Sequence, residues 1–150
     1  MLRVSKLTDY ATVVMTALAQ LGDGQASAVV LAERARLEPP TVAKVLKLLA
    51  QAGLVVSQRG ASGGYRLARP PAEITVADIV AAIEGPFGMT ECSVHSGLCD
   101  HELHCGVRGN WRRISEAVEA ALRAVTLADM LAPPPATPRP MRIPIRLATT

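Results

Sequence analysis

Apolar residues recur every three or four positions through Leu7, Tyr10, Ala11, Val14, Ala17, Leu18 and Leu21, and predict a first helix from Lys6 to Leu21. Gly22-Asp23-Gly24 ends it. Ser27 is placed to cap a second helix, 28–36, striped by Ala28, Leu31, Ala32 and Ala35. After the turn Leu37-Glu38, Pro39 and Pro40 suit the opening of a third helix, where a missing N–H costs nothing. Its inward residues are Val42, Val45, Leu46, Leu49 and Ala50; it runs to Ala52, with Gly53 as its stop. Two short helices joined by a tight turn predict a helix-turn-helix.

Leu54-Val55-Val56-Ser57 and Tyr65-Arg66-Leu67 flank the Gly-rich stretch 58–64 and predict a β-hairpin with a long tip. A hairpin directly after a helix-turn-helix is the wing of a winged helix. Pro70-Pro71 closes this unit, and Thr75 then caps a helix to Glu84 with Val76, Ile79, Val80 and Ile83 inward. Residues 85–106 have no apolar periodicity and read as a loop of functional length. A longer helix follows, 107–125, in which Trp111, Ile114, Val118, Ala121 and Val125 make a coiled-coil seam for a second copy of the chain. Thr126 caps a last turn, Leu127 to Leu131, and the segment from Ala132 carries six prolines and no acid, a composition that predicts disorder.

The expected architecture is therefore mainly α with a small β-wing. A winged helix-turn-helix spans 1–84, a cysteine loop 85–106, a dimerisation helix 107–131 and a Pro/Arg tail 132–150. Aromatic residues are 3% of the chain, so the core is aliphatic. No apolar run reaches the ~20 residues of a membrane span, and no signal-peptide pattern opens the chain. The expectation is a cytoplasmic protein with no membrane partner.

Charge is unevenly placed. Residues 1–70 hold nine Lys/Arg against four Asp/Glu, residues 71–132 hold four against nine, and the tail adds three Arg. A basic front half suits a polyanion. On the third helix Thr41 and Lys44 are the candidates for base edges in a major groove, with Lys47 on the same polar side. On the wing Arg59, Ser62, Gly63 and Arg66 are the candidates for the DNA backbone, and Arg59 can enter a narrow minor groove. Ser5 and Lys6 stand at the start of the first helix, where hydroxyl, N–H and ammonium groups can hold a phosphate. The competing reading of a winged helix is a protein-docking module.

The three cysteines, Cys92, Cys99 and Cys105, stand in a C-x6-C-x5-C pattern. An odd number of thiols cannot close a disulfide framework, and the spacing is too wide for a C-x2-C zinc knuckle. It is wide enough to wrap an iron–sulfur cluster, in which each iron takes its own thiolate. Three thiolates leave one position open to another ligand. Candidates are Glu91, His95, Asp100, His101, Glu102 and His104 nearby, and Asp9 on the first helix. Zinc held by three Cys and one His, and a metal-free thiol redox sensor, remain open. No Walker-type loop, G-x-S-x-G or H-E-x-x-H is present, so neither an enzyme nor a small-molecule substrate is expected.

Three stretches together resemble the IscR/NsrR family of iron–sulfur transcription regulators: Leu2 to Ala11 (LRVSKLTDYA), Arg59 to Leu67 (RGASGGYRL), and the cysteine loop after Glu84-Gly85. Thr90-Glu91-Cys92 with Arg108-Gly109-Asn110-Trp111 is most similar to regulators of the SUF cluster-assembly system. The resemblance runs to about residue 131. It implies a homodimeric regulator, typically a repressor or activator on double-stranded DNA, that carries one [2Fe–2S] or [4Fe–4S] cluster per subunit on the three cysteines. In IscR a His three residues after the last Cys completes the cluster; here Arg108 stands there. In NsrR-like members an Asp on the first helix of the partner subunit does so, and the matching residue is Asp9, with His101 and His104 as alternatives. Some family members lack the cysteines, so the fold alone does not imply the cluster.

Overall fold

The computed structural model describes residues 3–60, 63–95, 97, 99–100 and 102–133. Helix α1 (Lys6–Ala19) is followed by α2 (Ala28–Ala35), α3 (Pro39–Gln51) and the strands β1 (Val55–Gln58) and β2 (Gly64–Leu67). A short 3-10 turn, Pro71–Glu73, leads into α4 (Val76–Glu84). Next come α5 (Glu91–Val94), a second 3-10 turn (Glu102–His104), the longer α6 (Arg108–Arg123) and α7 (Leu127–Leu131). None of these helices is long and apolar enough to cross a membrane. The architecture is mainly helical with one two-stranded antiparallel sheet.

Each boundary has a local cause. The Ser5 hydroxyl accepts from the Thr8 N–H, and Ser27 accepts from the Val30 N–H, so both helices begin on capping side chains. Thr75 and Thr126 form full capping boxes with Asp78 and Asp129. Between α2 and α3 the tight turn is made by Arg36 in the left-handed region at φ 54°, the one described non-glycine residue there.

Helix α1 is the hub. It packs on α2, α3, α4 and α7. The core gathers Val14, Met15 and Leu18 of α1, Leu31 of α2, Val42, Val45, Leu46 and Leu49 of α3, Ile79 of α4, and Ile74 and Leu127. The aliphatic stripes read along the sequence are the buried faces. Met15 and Thr8, absent from those stripes, are also fully enclosed.

The hairpin pairs Val55 with Leu67 and Gln58 with Gly64. It is seated by a third piece of extended chain: Ala26 and Tyr65 exchange both backbone hydrogen bonds, at 3.1 and 2.8 Å. A Cβ on Gly64 would lie 2.8 Å from the Ala26 backbone, so only glycine permits that approach.

Two expectations are corrected. Residues 85–106 are not without regular structure, because α5 and the turn Glu102–His104 lie within them. The long helix stops at Arg123, two residues short of Val125. There the chain has another use for its backbone: the Val125 carbonyl accepts the Val76 N–H at 2.9 Å, and Thr126 bridges Thr75. The Pro/Arg tail expected to be disordered lies, from residue 134, outside the described residues.

Leu46 is fully buried at the centre of this core. Leu46→Ala opens a cavity in this core and is expected to cost about 2–5 kcal/mol of unfolding free energy in urea titrations.

Candidate nucleic-acid interface and cysteine loop

The basic candidates come from elements the core holds rigid. Helix α3 buries Val42, Val45, Leu46 and Leu49, which turns Lys44 and Lys47 outward. Thr41, in its first turn, is half-buried. Arg59 is exposed beside the hairpin tip and Arg66 is exposed on β2. Gly63 sits at the tip with its N–H on the Gly60 carbonyl at 2.9 Å. A Cβ there would fall 2.4 Å from the Gln58 oxygen, so the wing turn requires this glycine. Ser62 lies outside the described residues. A groove lined by Ser27, Ser57, Gln58 and Arg59 runs between the start of α2 and the wing. Ser57 and Gln58 were not foreseen there, because polar residues at a strand end carry no signal of their own, and Ser27 was read only as a helix cap.

The start of α1 is engaged internally. Lys6 is exposed, whereas the Thr8 side chain is fully buried and its hydroxyl donates to the Glu84 carboxylate at the end of α4. The Ser5 and Thr8 hydroxyls and the Ser5 N–H hold the Glu84 carboxyl below its ordinary pKa, against the opposing effect of burial. A carboxylate from α4 thus meets the positive end of the α1 dipole, the place read as a phosphate site. The Glu84 contact was invisible in the sequence, since its partner lies 76 positions away.

Directly after Glu84 comes Gly85 at φ 88°, and then the cysteine loop. Its first half is fastened to α5 and α6. Gly88 packs so closely on Val94 that a Cβ would lie 2.3 Å from that side chain. The Met89 N–H donates to the Ser115 hydroxyl at 3.1 Å, and that hydroxyl donates to the Trp111 carbonyl at 2.9 Å. Ser115 is the buried residue of α6, a positioning group that apolar periodicity passed over. Cys92 lies on α5 with its sulfur 3.3 Å from the Thr90 hydroxyl.

Cys92, Cys99 and Cys105 are free thiols, each half-buried. Among the described residues no group of three or more His, Cys, Asp or Glu is gathered closely enough to hold a single ion. Three accessible thiols on one loop suit an iron–sulfur cluster in their chemistry. Asp9 is exposed on the first turn of α1, and His104 is exposed on its 3-10 turn. His101 lies outside the described residues. Arg108, in the position of a family His ligand, pairs with Glu102 instead.

On α6, Trp111 and Ile114 are exposed at 38% and 44%, while Val118 and Ala121 are half-buried. A helix that leaves a tryptophan and an isoleucine in water on one chain has an unfilled apolar seam. Val125 lies beyond the helix end.

The sequence model of the Rrf2 family, described as "Iron-dependent Transcriptional regulator", matches residues 4–133. The HTH-type transcriptional regulator CymR of Bacillus subtilis is 33% identical over 130 residues, covering 86% of this chain and 89% of that protein. IscR of Aliivibrio salmonicida is 28% identical over 130 residues, covering 84% and 77%. Among solved structures, T. potens IscR aligns with a TM-score of 0.66 at 37% identity, over 87% of this chain and 86% of that one. The structure of CymR, the global cysteine regulator of B. subtilis, aligns with a TM-score of 0.68 at 33% identity, over 87% and 97%.

Glu84 supplies a pH prediction. Its carboxyl is depressed in the folded state, so the stability it contributes is complete above the ordinary carboxylate range. That contribution is lost as pH falls through the depressed value. In melting curves against pH, Glu84→Gln should lower the midpoint at neutral pH, and the gap to the parent should close on acidification.

Proposed function

As a member of the Rrf2 family of iron-dependent transcriptional regulators, this chain is a DNA-binding regulator and not an enzyme, and we propose that it reads iron–sulfur status through the cysteine loop. The observation that carries the reading is three free, half-buried thiols on a loop that begins directly after the Glu84 contact with α1 and is fastened to α6 through Met89 and Ser115. Cys92, Cys99 and Cys105 would hold a [2Fe–2S] or [4Fe–4S] cluster, one per subunit, with Asp9 of the partner subunit as fourth ligand. The family includes relatives named both IscR and CymR, so the assignment rests on this chain's thiols and not on the fold.

The protein acts as a homodimer on double-stranded DNA. Trp111, Ile114, Val118 and Ala121 on α6 form the seam. Thr41 and Lys44 of α3 reach base edges, while Arg59, Gly63 and Arg66 of the wing track phosphates and the exposed Lys6 adds a further phosphate contact; the Ser5 hydroxyl is engaged by Thr8 and Glu84. Two recognition helices must stand ~34 Å apart to enter successive major grooves. Cys92, Cys99, Cys105 and Asp9 would together hold the cluster as a tie between the loop and α1, and the group would supply sensitivity to oxygen, nitric oxide or iron shortage, with the Asp9 carboxylate the weakest of the four ligands. Asp9 joins α1 to the loop when the tie is made. Its release lets the loop shift against α1 and changes the spacing of the recognition helices. Affinity for DNA and occupancy of the thiols are then reciprocally linked. Its targets are genes of iron–sulfur cluster assembly.

The first test is iron, sulfide and zinc content of anaerobically purified protein beside its visible absorbance. Matched iron and sulfide, lost in Cys99→Ala, is the expected result; colourless protein with zinc alone overturns the reading. In DNA titrations at several salt concentrations, Arg59→Ala should weaken binding to all sequences and reduce the salt slope by about one. Unchanged affinity and slope would remove Arg59 from the interface.

A further inference from the structure

The second half of the cysteine loop is built on a repeated unit. Cys99 is followed three residues later by Glu102, whose N–H donates to the Cys99 carbonyl at 3.0 Å. Cys105 is followed three residues later by Arg108, whose N–H donates to the Cys105 carbonyl at 3.3 Å. Each cysteine therefore heads a tight turn, and the residues that close the two turns are joined to each other by an ion pair between the Glu102 carboxylate and the Arg108 guanidinium. The other Glu102 oxygen accepts the Gly97 N–H at 2.5 Å. Gly97 is at φ 89°, a conformation that brings the chain before Cys99 back toward this carboxylate.

The side chain of Glu102 is only 9% exposed and that of Arg108 is 33% exposed. A carboxylate this far out of water needs its cation, because its hydration is not restored on losing it. Arg108 is also the first residue of α6, whose N-cap, Val107, provides no side-chain bond. A cation at a helix N-terminus is unfavourable against the dipole, and the Glu102 carboxylate offsets it. The pair thus fastens the loop to α6 at a second point, independent of the Met89–Ser115 bond.

We propose that the Glu102–Arg108 ion pair is a latch that positions Cys99 and Cys105 for cluster binding before any cluster arrives. It rests on the cluster reading above. Glu102 and Arg108 are positioning residues: they act through the two turns and donate no ligand. Arg108 stands where a family His ligand would be and takes a different role, closing the turn after Cys105 and pairing with Glu102.

The test has two arms, in full-length protein. In the metal-free arm, each thiol's alkylation rate by iodoacetamide is followed by peptide mass spectrometry, with Cys92 as internal reference. Arg108→Ala and Glu102→Gln should speed modification of Cys99 and Cys105 by about fivefold or more relative to Cys92, the change expected when a local opening is eased by one favourable interaction. Arg108→Lys, which keeps the charge, should restore most of the protection. Equal rates in parent and variants overturn the latch, whatever the thiols bind. In the loaded arm, iron and sulfide content and the rate at which a chelator bleaches the visible absorbance are compared. Arg108→Ala is expected to bleach several-fold faster than the parent. A parent that takes up no iron or sulfide refutes the cluster reading, while the alkylation arm still decides whether the latch exists.

Discussion

Helix α1 is buried against four other helices, and that single packing constraint sets the geometry of everything around it. With Val14, Met15 and Leu18 fully enclosed, α1 has no freedom to rotate without opening the core. Its position then fixes α3, which turns Lys44 and Lys47 outward, and α4, which delivers Glu84 to the α1 N-terminus. The same helix therefore supports the DNA-facing unit at its buried side and presents Asp9 at its exposed first turn. Under the proposed function the sensing and binding parts share one rigid body, α1.

The second organising feature is the way the cysteine loop is held. Loops of this length ordinarily remain mobile because few buried contacts offset their conformational entropy. Here Gly88 packs on Val94, Met89 bonds to Ser115, and Glu102 pairs with Arg108, so the segment is fastened at several points along its length. Two of those points belong to α6, the helix whose Trp111 and Ile114 are open to solvent on the single chain. Glu84 and Gly85 join the loop's other end to α1. The loop thus has mechanical routes to both the helix read as the dimer seam and the hub of the winged helix. Under the proposed function, that connectivity is the route by which a change at the thiols would reach α3 and the wing.

The wing shows a complementary economy of residues. Two strands of four residues each are too little to stand alone. They persist because Ala26 bridges Tyr65 and because β1 continues directly from α3. Gly64 permits the close approach to Ala26 and Gly63 permits the tip. The glycine-rich run is thus a requirement of the backbone as much as of any DNA contact.

The helix stripes, the capping residues Ser27, Thr75 and Thr126, and the two strands flanking a Gly-rich tip were legible in the amino-acid order, because each depends on residues three or four apart or paired across a turn. So were the three thiols and the basic α3 and wing, because composition and spacing alone mark them. The engagement of Thr8 with Glu84, the bridge from Ala26 to Tyr65, the burial of Ser115 under Met89, and the early end of α6 where Val125 turns to Val76 were decided only by the fold. Each joins residues far apart in sequence, and no local pattern encodes which polar group will be carried next to which. The pairing of Glu102 with Arg108 spans only six positions, yet it too required the structure. The pair depends on two cysteine-headed turns, whose closing residues are the two that carry the charges.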